Sequence, residues 1–120
     1  MAVRIAVVDD DDSLVFMLKE SLSSDGFDIV TASDGVAALS LVRSEKPQLL
    51  VIDAHMPGMT GQEVLASLRA DATTATLPVI LLTGDAPEKA FPSGRDVKTH
   101  VMTKPIELDD LTHLVRKMLL

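Results

Sequence analysis

Five short apolar runs, each followed by a stretch with helical periodicity or a polar loop, constrain this chain more than any other feature. The runs are Arg4–Val8, Asp28–Ala32, Leu49–Asp53, Val79–Thr83 and His100–Thr103. Apolar runs of this length, bounded by polar residues, read as strands of a parallel sheet covered on both faces. Three of them end on charge. Ile5-Ala6-Val7-Val8 runs into Asp9 and Asp10, Leu49-Leu50-Val51-Ile52 ends on Asp53, and the last run meets Lys104-Pro105. Ligand chemistry in open α/β sheets collects at the carboxyl ends of the strands. Three acids and one base, far apart in the chain, are therefore expected at one small site.

The intervening segments predict helices. One runs from about Asp12 to Ser24, stopped by Gly26, with Leu14, Met17, Leu18 and Leu22 on its inner face and Asp12 or Ser13 as its cap. Ser33 is expected to cap a second, to about Ser44, with Val36, Leu39 and Val42 at helical spacing, and Pro47 closes the connection. Thr60 followed by Glu63 has capping-box spacing and opens a third helix to about Ala70, with Val64, Leu65 and Leu68 inward. The last runs from about Leu108, using Leu111, Leu114, Val115 and Met118. Between Thr83 and His100, Pro87, Pro92, Gly84 and Gly94 leave little room for a helix. A loop is predicted there, with at most one turn around Pro87–Phe91 and Phe91 as a hydrophobic plug.

At 120 residues, 47% hydrophobic and 24% charged, the chain has the size and composition of one globular domain. No apolar run approaches a membrane span, and there is no signal-peptide pattern. Cysteine is absent, which excludes disulfides and thiolate metal sites and fits a cytoplasmic location. The formal net charge is −7, with lysine and arginine few and dispersed, so nucleic acid is not an expected partner, and neither is a membrane. Part of the acidity is the quartet Asp9-Asp10-Asp11-Asp12. Two carboxylates about 4 Å apart repel by roughly 4 kcal/mol at an effective dielectric near ~20. A fold that gathers such groups gains most simply by binding a divalent cation.

The acidic pair Asp9-Asp10, Asp53 with Met56-Pro57-Gly58-Met59-Thr60-Gly61 behind it, Thr83, and Lys104-Pro105 together resemble the receiver domain of two-component response regulators over the whole chain. The resemblance implies a flavodoxin-like α/β fold: a five-stranded parallel sheet of order 2-1-3-4-5, doubly wound, here with a loop or single turn replacing the fourth helix. It implies a receiver over residues 1–120 acting in a phosphorelay; the sequence carries no effector domain after the last helix, so either a single-domain regulator or a domain cut from a longer protein is expected. Asp53 would take a phosphoryl group from a sensor histidine kinase or histidine phosphotransfer protein and signal to an unknown downstream protein. Mg²⁺ would be held by Asp10 and Asp53, by the backbone carbonyl of His55, and by Asp9 mainly through water. Lys104 and the Thr83 hydroxyl would contact phosphoryl oxygens, and the peptide before Pro105 would be cis. His55 and Asp85 would tune the lifetime of the phosphoryl group. Phe16, pointing away from the core face of the first helix, and Val15 on its flank would dock a kinase or phosphotransfer helix. The domain would act as an enzyme only on itself. Val101 stands where the family usually has an aromatic, so the usual threonine–aromatic switch cannot operate as drawn, and the 84–98 loop is the alternative element for phosphorylation to order.

Three other readings compete. Asp9-x-Asp11-x-Ser13 also fits the nucleophile motif of haloacid-dehalogenase-type phosphatases, but that leaves Asp53 without a role. A flavodoxin would need a Ser/Thr/Gly-rich phosphate loop where the acidic quartet stands. A receiver-like module that is never phosphorylated would ordinarily lack one of the key residues, and none is lacking.

Overall fold

A computed structural model describes residues 2–84 and 98–119. In chain order the elements are β1 (Arg4–Val8), α1 (Asp12–Ser24), β2 (Asp28–Ala32), α2 (Gly35–Glu45), β3 (Leu49–Asp53), α3 (Gly61–Ala70), β4 (Val79–Thr83), β5 (Thr99–Thr103) and α4 (Leu108–Met118). All five strands are parallel in one sheet of order β2-β1-β3-β4-β5. The reading of an α/β sheet doubly wound in this order is borne out, with four helices among the described residues. The expected loop or single turn around Pro87–Phe91, the Phe91 plug and Asp85 lie outside the described residues.

Alternation along each strand divides the core into two layers. Ala6, Val8, Leu50, Ile52, Val79 and Leu81 face α2 and α3, where they meet Ala38, Val42, Val64, Leu65 and Leu68. Ile5, Val7, Leu49, Val51, Ile80 and Leu82 face α1 and α4, where they meet Leu18, Leu22, Leu111 and Val115. Most of these side chains are fully buried, each worth ~1.5–3 kcal/mol relative to exposure. β3 is central and buried at all five positions, as its unbroken apolar run predicts.

Several local expectations are corrected. The α1 cap is Asp11, not Asp12 or Ser13: its side chain accepts from the N–H groups of Ser13 and Leu14 at 3.0 and 3.2 Å. The α2 cap is Asp34, not Ser33, accepting from Ala37 N–H at 2.8 Å. In both runs of small polar residues, the cap is the carboxylate that reaches the free N–H groups. Met17 and Val36 are exposed, not inward, because the buried stripes narrow to Leu18 and Leu22 in α1 and to Gly35, Ala38 and Val42 in α2. β5 begins one residue early, at Thr99, which is buried and accepts from the Arg69 guanidinium at 3.0 Å. The Thr60–Glu63 capping box is present as expected, and Gly26 takes a φ of 92° just past α1.

Strand register then builds the site. Val8 lies beside Ile52, Asp53 beside Leu82 and Thr83 beside Thr103. Asp9, Asp53, Thr83 and Lys104 therefore leave the sheet at one edge.

Candidate functional site

Asp9 and Asp53 are almost wholly buried, with 1% and 4% of their surface exposed, whereas Asp10 is exposed. Asp9 sits just past β1, its N–H bonded to the Ala32 carbonyl at 3.3 Å. One of its carboxylate oxygens accepts from Asp11 N–H at 2.9 Å and the other pairs with Lys104 Nζ at 3.2 Å. The same ammonium lies 3.1 Å from Asp53 Oδ1, so Lys104 bridges the two buried acids. Burial pushes the Asp9 carboxyl up and the charge of Asp53 adds to this, against the opposing pull of the Asp11 N–H and of Lys104. Partial burial works against the charge on Lys104, but its bond to Asp53 and the charges of both acids outweigh it, and its pKa is raised.

One carboxylate oxygen from each of Asp9, Asp10 and Asp53 lies within 4.8 Å of the others. A Mg²⁺ ion takes oxygens at ~2.0–2.1 Å in an octahedron, which puts opposed ligands about 4.2 Å apart. Three hard oxygen donors so grouped fit such an ion.

Thr83 ends β4, fully buried, and its carbonyl accepts the Lys104 N–H at 2.7 Å, fixing the exit of β5 to the end of β4. The peptide between Lys104 and Pro105 is cis. His55 is exposed in the loop after β3. Asp11 is drawn away into the α1 cap. The Asp9/Asp11 pairing that a dehalogenase-type phosphatase would need is therefore not presented to a ligand. On α1, Phe16 is 64% exposed, while Val15 is half-buried against the second core layer. Val101 is half-buried against the first layer. A cavity of about 700 Å³, lined by Arg43, Lys46, Gln48, Asp71 and Leu77 among others, lies at the amino ends of β3 and β4. It is at the opposite end of the sheet from Asp53.

Sequence reasoning assembled the charged residues but missed two contacts. One is the bridge from Lys104 to Asp9. The other is the close seat of Gly61, the first residue of α3, on the backbone of Asp53 and Ala54. The Met56–Gly61 run flags Gly61, but nothing in one sequence says which backbone it touches.

Residues 5–116 match the response regulator receiver domain family. The chain belongs to that family. Receiver domains are the phosphoacceptor modules of two-component signalling, not conventional enzymes. The response regulator MprA of Mycobacterium bovis is 38% identical over 120 residues, covering 99% of this chain and 51% of MprA. This receiver chain thus spans about half the length of the curated relatives it matches. Of solved structures, the receiver domain of the Francisella response regulator 1452 superposes with a TM-score of 0.84 at 31% identity, covering 97% of this chain and 95% of that one. The receiver domain of the sensor histidine kinase PA1611 from Pseudomonas aeruginosa, which has a magnesium ion coordinated in its active-site cleft, gives 0.86 at 19% identity over 98% of each chain. That last likeness is one of fold. No described helix is long and apolar enough to cross a membrane.

Proposed function

We propose that Asp53 is the phosphoacceptor of this receiver, charged by a phosphohistidine on a sensor kinase or phosphotransfer protein. The observation that carries this reading is the grouping of Asp9, Asp10 and Asp53 within ligand distance of one another, with Lys104 Nζ 3.1 Å from Asp53. An Asp53 carboxylate oxygen attacks phosphorus, the new O–P bond forms as the N–P bond to the donor imidazole breaks, and the imidazole leaves with that electron pair. The carboxylate gives up no proton. Little covalent work is left to the protein, so positioning and charge neutralisation dominate.

Asp10, Asp53 and the His55 backbone carbonyl would hold Mg²⁺, with Asp9 acting through water. When bound, the ion neutralises charge on the carboxylates and on the incoming phosphoryl oxygens. Lys104 supplies a second positive charge beside Asp53 and passes from carboxylate to phosphoryl oxygen as the group arrives. The Thr83 hydroxyl, at the neighbouring strand end, holds another phosphoryl oxygen. His55 and Asp85 tune the lifetime of the phosphoryl group. Phe16, exposed on α1, with Val15 on its flank, is the surface for the donor helix.

The test is incubation with Mg²⁺ and a small phosphodonor, followed by intact mass. The expected result is one labile phosphate per chain, absent without Mg²⁺ and absent in Asp53→Asn. An adduct that persists in Asp53→Asn, or sustained turnover of a phosphomonoester, would sink the reading.

A further inference from the structure

We propose that Gly61 is a positioning residue for Asp53: because it has no side chain, α3 can rest directly on the acceptor's own peptide, and this seat fixes where the Asp53 carboxylate stands. The inference rests on the reading of Asp53 as phosphoacceptor and adds what holds that residue in register with Asp10 and Lys104.

The seat is sterically exact in a way ordinary packing is not. A Cβ built at Gly61 would overlap the Asp53 carbonyl oxygen and come within 2.9 Å of Ala54 Cα. Both neighbours are backbone, so no rotamer change relieves the overlap. Either α3 backs away or the peptide after Asp53 tilts. Neither is free to do so. The Gly61 N–H donates to the Ala54 carbonyl at 3.0 Å, and the Ala54 N–H is held by the Leu82 carbonyl of β4 at 2.7 Å. The start of α3 is itself locked by the capping box, with Thr60 N–H to Glu63 Oε1 at 3.0 Å and Glu63 N–H to Thr60 Oγ1 at 3.2 Å. A second glycine grips the same loop from the other side. A Cβ at Gly35, the first residue of α2, would meet Met59 Cβ at 2.7 Å and the Met59 carbonyl oxygen at 2.8 Å. The segment from Ala54 to Thr60 is thus pinned between the sheet, α3 and α2. Displacement of a reacting group by about 1 Å can cost ~100-fold in rate, so a contact this close to the acceptor sets its reactivity.

The experiment compares wild type, Gly61→Ala and Val115→Ala. Val115 is a buried residue of α4 on the far layer of the core, and its truncation controls for lost stability alone. Each protein is ¹⁵N-labelled, the amide resonances of Asp53 and Ala54 are recorded without metal, and Mg²⁺ is then titrated. G61A is expected to displace both amides and weaken Mg²⁺ binding about tenfold or more, the scale for disturbing the support of a metal ligand. V115A should do neither. If G61A keeps the wild-type shifts and affinity, or V115A reproduces the loss, the proposal is overturned. Should G61A fail to unfold cooperatively, Gly35→Ala decides. It acts through Met59, and a smaller displacement of the same two amides supports the proposal, while unmoved amides overturn it. A wild-type protein that takes no phosphate on Asp53 would defeat the proposed function, yet the amide shifts would still decide whether Gly61 places that residue.

Discussion

Lys104 carries the electrostatics of the site: one ammonium lies 3.1 and 3.2 Å from two carboxylates that are almost without solvent. Removing one partner of such a group leaves the others buried and uncompensated, which costs more than the pair itself contributes. Lys104→Met keeps most of the unbranched side chain and deletes the charge. It should lower the stability of the metal-free protein by roughly 1–3 kcal/mol at neutral pH, read from urea unfolding. An unchanged midpoint would mean that the bridge contributes nothing. At this scale the sequence was a good guide to what converges and a poor one to how. Asp9, Asp53 and Lys104 stand out because charge at the end of an apolar run needs a partner, whereas Thr83 is singled out only by the family resemblance. That Asp9 is buried while its neighbour Asp10 is exposed, and that Asp11 turns away to cap α1, depends on backbone direction at the strand exit. Composition does not encode that direction.

The elements themselves were largely legible, since period and apolar run length are local properties. The four strands Arg4–Val8, Asp28–Ala32, Leu49–Asp53 and Val79–Thr83 have the bounds expected of them. What local pattern could not supply was the choice between adjacent capping residues and the edges of the buried helix faces, both set by tertiary neighbours. Where the pattern was specific, as in the Thr60–Glu63 box, it held. Thr60→Ala removes the acceptor for Glu63 N–H and should cost about 1 kcal/mol, measured as a lower urea midpoint with unchanged slope. The turn after α3 gives a pH test. The backbone N–H and then the hydroxyl of Thr73, at 3.0 and 2.8 Å, bond to Asp71 Oδ1 and hold its carboxyl below the ordinary value. A depressed folded pKa means the contribution is complete above the unfolded value of about 3.9 and is lost as pH falls through the folded one. Asp71→Asn should therefore show a flatter decline of the urea midpoint on acidification from about pH 5 to about pH 2. A decline identical to wild type would contradict this.

Across the whole molecule, a net charge of −7 and three clustered acids oppose compaction, and a cation that binds only the folded state offsets this by mass action. Mg²⁺ at ~100 times its dissociation constant should add about 2.7 kcal/mol, visible as a higher melting temperature. Asp10→Asn should melt higher than wild type without metal, through relieved repulsion, and gain little from Mg²⁺. A wild-type melting temperature indifferent to Mg²⁺ would remove the case for the pocket. Strand order was beyond the reach of periodicity, because alternation says that a strand is buried on both faces but not which strand lies beside it. The order 2-1-3-4-5 was available only through family resemblance.

The two apolar layers have one further consequence. Among the described residues they share no side chains and lie on opposite faces of the sheet, with α2 and α3 on one side and α1 and α4 on the other. Such a partition lets one wrapping be rewritten while the opposite one stays intact. The outer surface of α1 can change without loosening the contact between α3 and the backbone after Asp53, so the two faces of this architecture are free to diverge at different rates.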